Sequence, residues 1–190
     1  MKIDITLQGV TPLICNRFYD EAAERATNGA TVVAAAGNKG TPREQSAKKL
    51  YPNAEGVPTI PQPNLLRCLV DGGRYFKAGK KQITTKGESL MFACFDIEGA
   101  EILIDHQEPW RVDTRAVRIP STGGRILTHR PMFDDWALTF VADLDETIID
   151  ARLIRDIIDA AGKRVGLGDF RPATKGPFGK FVVTHWEQHA

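Results

Sequence analysis

Cysteine is scarce in this sequence. Cys15, Cys68 and Cys94 are three in 190 residues, odd in number and scattered. A disulfide framework needs a dense, even set and a zinc site needs clustered ligands, so neither is expected and a reducing, cytoplasmic setting fits. Long apolar runs are missing too. None approaches a membrane span, and Met1-Lys2-Ile3-Asp4 is no signal-peptide core, so no membrane partner is expected. There is no excess charge of one sign: 25 Lys and Arg against 24 Asp and Glu leave a formal net charge of +1. Bulk charge therefore names no polyanionic partner. Catalytic spacings are also lacking. None of His106, His129, His185 and His189 stands at metal-ligand spacing with a His, Cys or Glu on one helix face, so no metal and no other cofactor is expected. His185 and His189 lie at the end of the chain and read as a frayed tail. What remains, 42% hydrophobic and 26% charged residues, is ordinary for one soluble globular domain.

The hydrophobic pattern alternates between the two periods. Ile3, Ile5 and Leu7 alternate with polar residues as a half-buried strand that Gly9 and Pro12 end. Residues 26–56 are small and weakly patterned at first, then Thr41-Pro42 opens a short helix over Arg43 to Leu50. This segment reads as a protruding, mobile insertion. Pro58, Pro61 and Pro63 lead into a helix with Leu65, Leu66, Leu69, Val70 and Phe76 at helical spacing, with either Asn64 as its N-cap or Pro63 in its first turn. Gly72-Gly73 inside it implies close packing on a neighbour, or an early end. Leu90 to Ile97 is expected as one strand, with Glu101 to Ile104 as its hairpin partner across Glu98-Gly99. Val112 to Ile119 and Arg125 to Leu127 flank a turn, and Trp136, Leu138, Phe140 and Ala142 alternate as a further strand. Asp150 caps the clearest helix, through Leu153, Ile154, Ile157, Ile158 and Ala161, with Gly162 as its stop. Phe178, Phe181, Val182 and Val183 are expected to make a last strand. The order predicts an α+β fold, a decorated ferredoxin-like sandwich with a βαββαβ skeleton.

The near-zero net charge hides strips of one sign. Residues 162–180 hold Gly162, Gly166, Gly168, Gly176 and Gly179 among Lys163, Arg164, Arg171, Lys175 and Lys180. Glycine lets a backbone approach a phosphate chain, and the cations supply counter-charge. The loop follows a helix and precedes a strand, the reverse of a dinucleotide fingerprint. A second strip is Arg111, Arg115, Arg118, Arg125, His129 and Arg130, with Trp110 at its edge and Asp113 as its single acid. A basic β-face beside an aromatic ring can hold a single strand of nucleic acid. A third strip, Arg67, Arg74, Lys77, Lys80, Lys81 and Lys86, reads alone as a solvated face. Acids from Asp134 to Asp159 offset all three, so the chain is dipolar, as a nucleic-acid groove or head-to-tail assembly requires. His129 and, after the first strand, Asp20 are the candidates for catalysis.

Three segments in this order resemble the RAMP (repeat-associated mysterious protein) superfamily, in particular the backbone subunits that coat guide RNA in CRISPR effector complexes. They are Leu7-Gln8-Gly9-Val10-Thr11-Pro12-Leu13, then Pro58 to Arg67, then Val165-Gly166-Leu167-Gly168 through Gly176-Pro177-Phe178-Gly179-Lys180-Phe181. Gln62-Pro63-Asn64 stands where that family usually has Gly-Ser-Ser. The resemblance implies a modified RNA-recognition-motif fold over residues 1–190, with a thumb-like insertion at about 26–56. It implies sequence-independent binding of single-stranded RNA (or DNA), and self-association head to tail or with other CRISPR-like subunits. The expected contacts are Arg111, Arg115, Arg118, Arg125, Arg130, Lys163, Arg164, Gly166, Gly168, Phe170, Arg171, Lys175, Gly176, Gly179 and Lys180. Phe170 or Trp110 would stack on bases, and Lys39, Arg43, Lys48 and Lys49 of the insertion are available for phosphates. Two alternatives stand beside this. One is a metal-independent endoribonuclease on the same fold, with His129 as acid/base. The other is a phage or mobile-element protein that mimics a backbone subunit or binds single-stranded DNA.

Overall fold

The computed structural model describes residues 1–18, 40–118 and 123–189. In chain order its strands are β1 (Lys2–Gly9), β2 (Leu13–Ile14), β3 (Thr59–Pro61), β4 (Lys77–Ala78), β5 (Lys81–Gln82), β6 (Phe95–Ile97), β7 (Glu101–Leu103), β8 (Arg111–Arg118), β9 (Arg125–Phe133), β10 (Ala137–Leu144) and β11 (Phe181–His189). The helices are α1 (Pro42–Ala47), α2 (Gln62–Gly72), α3 (Met91–Cys94) and α4 (Ala151–Ala160). The chain is α+β with antiparallel sheets and few helices, as its pattern predicted. No helix of the described residues is long and apolar enough to cross a membrane.

The alternation in β1 does what it implies. Ile3, Ile5 and Leu7 are fully buried while Lys2 is exposed and Asp4 and Thr6 half-buried. β1 lies inside a four-stranded sheet of order β11-β1-β10-β6, every neighbouring pair antiparallel. On its dry side lie α2, through Leu65, Cys68, Leu69 and Val70, and α4, through Ile154, Ile157 and Ile158. Each of these isoleucines contributes roughly 1.5–3 kcal/mol by leaving water. Asp150 caps α4 as expected, its carboxylate accepting from Leu153 N–H at 2.9 Å. Gly9 is dictated by contact: a Cβ there would lie 2.3 Å from the indole nitrogen of buried Trp136.

Four expectations are corrected. Leu90 to Ile97 is not one strand. Met91–Cys94 forms a helical turn that buries Met91, and only Phe95–Ile97 pairs, with β10. Glu101–Leu103 is not its hairpin partner either. It pairs with β3, where Ile60 and Ile102 are opposed and both buried. Gly162 does not stop α4. The helix runs on as a widened turn over Ala161–Val165, and Gly166, at φ +72°, ends it. His185 and His189 are not frayed. Both lie in β11, paired with Thr6 and Lys2, and His189 Nε2 meets an Asp4 carboxylate oxygen at 2.9 Å.

The expected insertion is described from residue 40. There Thr41 and Glu44 form a reciprocal capping box, and α1 packs against β9 with Ser46 fully buried. The earlier part, with Lys39 and Asp20, lies outside the described residues.

Candidate nucleic-acid interface

β8 and β9 form a ribbon whose base is built into the protein and whose tip is not. At the base Asp113 pairs with Arg130 across the ladder, and both are buried. Arg130 donates to Asp113 at 3.1 Å and to Asp169 of the glycine-rich loop at 2.6 Å, so it ties ribbon to loop. Both of its hydrogen-bonded partners are thus carboxylates of the protein itself. Arg115 chelates Asp113 at 2.8 and 3.0 Å and lies over the Phe178 ring at 4.8 Å. Arg111 makes a two-pronged pair with Asp134. From Ala116 onward the ribbon is exposed on both faces, with Leu127 66% accessible. Arg118 and Arg125 are direct cross-strand partners there, and neither has an acidic partner among the described residues. Like charges directly opposed on a ladder repel, so this pair carries an electrostatic cost.

The glycine-rich loop is folded tightly on itself. A Cβ at Gly176 would lie 1.7 Å from Phe170 O, at Gly179 1.8 Å from Leu167 O, and at Gly168 2.4 Å from Ile14 O. The amides of Leu167, Asp169, Gly176, Gly179 and Lys180 donate to acceptors of the chain itself. Gly166, Gly168, Gly176 and Gly179 thus allow the chain to approach itself closely. Side chains carry the loop's outward chemistry: Lys163, Arg164 and Lys175 are exposed, and Lys180 is half-buried. Arg171 donates to Gly168 O at 2.8 Å and braces the loop. Phe170, held at φ +50°, packs against Phe178 with ring centres 5.9 Å apart. Trp110 is covered by Arg43, whose guanidinium lies 3.1 Å from the ring centre.

Beside the loop is a cleft of about 290 Å³ that sequence reasoning missed. Its walls come from three separated segments. They are Cys15 and Asn16 after β2, the stretch from Tyr51 before β3 to Asn64 and Arg67 of α2, and Gly166 to Asp169 with Arg171. Asn64 does not cap α2, whose N-terminus has no side-chain cap. Its side chain bonds the Tyr51 hydroxyl instead. Burial pushes the Tyr51 hydroxyl up from its ordinary value, and burial beside Arg130 pulls the Lys49 ammonium down. The thiols of Cys15 and Cys68 are pushed up to about 12 by burial, so they line the cleft as apolar groups. The polar stripe Asn64, Arg67, Asp71, Arg74 along one helix face is the signal that points to this wall.

Of the catalytic candidates, His129 sits half-buried on β9 with Nδ1 2.8 Å from Thr114 Oγ1. Among the described residues no carboxylate bonds to it. A different surface is acidic. A shallow groove of about 680 Å³, between the start of β1 and the end of β10, is lined by Asp96, Asp143, Asp145, Glu146 and exposed Phe92. It lies at the start of β1, a strand about 24 Å long, whereas the ribbon pairs with β2 beyond the end of β1.

No protein-family model matches the sequence, and neither does any curated protein. Among solved structures, a chain of the type III-B Cmr-beta complex bound to cognate target RNA superposes over 98% of this chain, with a TM-score of 0.61 at 9% identity. This chain spans 59% of that one. A chain of a type IV-B CRISPR complex superposes over 100% of this chain and 92% of its own length, with a TM-score of 0.51 at 12% identity. The fold is thus one found among subunits of CRISPR effector complexes, as the resemblance of the three sequence motifs to the RAMP superfamily implied.

Proposed function

We propose that this protein binds single-stranded nucleic acid, RNA foremost, without regard to sequence, as a backbone-like subunit of a CRISPR-type assembly. The observation that carries this reading is the directly opposed Arg118 and Arg125 on an exposed ribbon tip, with no acidic partner among the described residues, together with Lys175 and Lys180 of the glycine-rich loop, which likewise have none there. A phosphate chain supplies the anions that such a tip lacks. The order β1, α2, β6, β10, α4, β11, with sheet order β11-β1-β10-β6, is read here as the βαββαβ core of a ferredoxin-like domain. The ribbon, the glycine-rich loop and the Tyr51–Asn64 cleft then form one binding face. The charged open face of the sheet has no Phe, Tyr or Trp and takes no part.

Head-to-tail association is part of the same proposal. The acidic groove at the far end of β1 is complementary to the arginine ribbon in charge, and Phe92 there is complementary to Leu127 in apolar character. The test is fluorescence anisotropy with labelled single-stranded RNA, single-stranded DNA and duplex at low salt. Tight binding of single strands of unrelated sequence is expected. Absence of binding to any of them overturns the proposal.

A further inference from the structure

Gly72 and Gly73 are costly in a helix, and the structure gives the reason they stand there. A Cβ at Gly72 would lie 2.7 Å from the Ala161 Cβ, and one at Gly73 2.6 Å from the Thr84 hydroxyl. The end of α2 therefore sits directly against the widened turn that follows α4. This contact brings Tyr75, on the short helical turn Gly73–Tyr75, beside Arg164 on the widened turn. The Arg164 guanidinium lies 4.5 Å from the centre of the Tyr75 ring, and the ring remains 48% exposed.

The surroundings are basic. Lys163, Lys77 and Lys80 are exposed and have no acidic partner among the described residues, and Lys81 reaches Glu88 at 3.4 Å. Asp71, one turn before Tyr75, is held by Arg67 at 3.5 Å and Arg74 at 3.1 Å. Asn64, Arg67, Asp71 and Arg74 recur at helical spacing, so one polar stripe runs from the cleft to Tyr75. The third basic strip, which alone read as a solvated face, is thereby joined to the glycine-rich loop.

We propose that Tyr75 with Arg164 is a second station on the strand's path, a stacking platform for one nucleobase that has passed the ribbon and the cleft. An exposed aromatic ring braced by a planar guanidinium, on segments that also carry the exposed lysines Lys77 and Lys163, matches what a base and its flanking phosphates need. A base stacks on the ring while the lysines neutralise the backbone, with no demand on sequence. The inference rests on the single-strand binding proposed above and extends its footprint.

The experiment is a length series of single-stranded oligonucleotides, from roughly 5 to about 25 nucleotides, bound to the wild type and to Tyr75→Leu, Tyr75→Phe and Arg164→Ala. In the wild type, affinity is expected to step up at the length that reaches Tyr75. Tyr75→Leu and Arg164→Ala should remove that step, about tenfold in Kd, and leave the shortest oligonucleotides unaffected, while Tyr75→Phe keeps it. Wild-type binding that Tyr75→Leu leaves unchanged at every length overturns the platform and spares the single-strand reading. An equal loss in Tyr75→Phe overturns stacking. A Tyr75→Leu variant that binds RNA normally but sediments with altered self-association assigns the patch to protein contact, which also overturns it. Absence of binding by the wild type at any length overturns both readings.

Discussion

The molecule presents two polar β-surfaces, and they solve the problem of exposed charge in opposite ways. On the open face of the four-stranded sheet, charges and hydroxyls answer one another across strands. Lys2 pairs with Glu98, the amino terminus with Asp143 at 3.2 Å, His189 with Asp4, and Thr6 with Thr139 at 3.1 Å. On the β8–β9 ribbon the base is answered and the tip is not. Asp113 and Asp169 take up Arg130 and Arg115, while Arg118 faces Arg125. A surface that satisfies itself needs no ligand. One that sets two guanidinium groups against each other has a standing electrostatic cost that an anion relieves.

Four substitutions break or sharpen this contrast. The largest effect belongs to the answered base. Arg130→Met takes the ion-pair partner from Asp169 and leaves buried Asp113 with Arg115 alone, and should lower stability by about 3–5 kcal/mol in urea unfolding. Next, Gly179→Ala forces a Cβ against Leu167 O at a positive φ, and should cost about 1–3 kcal/mol by the same measurement. Arg118→Glu should move stability and function in opposite directions. The new carboxylate faces Arg125, so stability rises by about 0.2–1 kcal/mol while affinity for single-stranded RNA falls roughly tenfold. Equal signs for the two changes would break the contrast. On the self-satisfied face, Asp4→Asn removes a half-exposed pair and should change stability by less than about 0.5 kcal/mol and RNA affinity not at all, by melting and anisotropy.

The local half of this fold was legible in the sequence and the non-local half was not. Period-two alternation placed β1 and β10, and the spacing of Ile154, Ile157 and Ile158 behind Asp150 placed α4, because each depends on residues a few positions apart. Which strand pairs with which depends on opposed buried faces far apart in sequence. So Glu101–Leu103 was assigned to the neighbouring strand when its partner is Thr59–Pro61. The site divides in the same way. Arg118 and Arg125 were visible as cations flanking a turn. Arg130 looked identical to them, and only Asp169, brought in by the loop, makes it structural. The cleft was missed because Asn16, Asn64 and Arg171 meet only in three dimensions. Gly72-Gly73 was read as a close contact or an early end and is both, with nothing in the sequence to name Arg164 as what the contact brings near.

The central claim is that the basic face binds a single strand through its phosphates. The most direct test is the salt dependence of that binding, measured by anisotropy from about 50 to about 200 mM salt on the wild type and on the variant carrying both Arg118→Glu and Arg125→Glu. Four phosphate contacts, from Arg118, Arg125, Lys175 and Lys180, predict a slope of log affinity against log salt near −3, shallower by about 1.4 or more in the variant, on oligonucleotides of any sequence. Binding that is absent at the lowest salt, or a slope unchanged between the two proteins, would contradict the account.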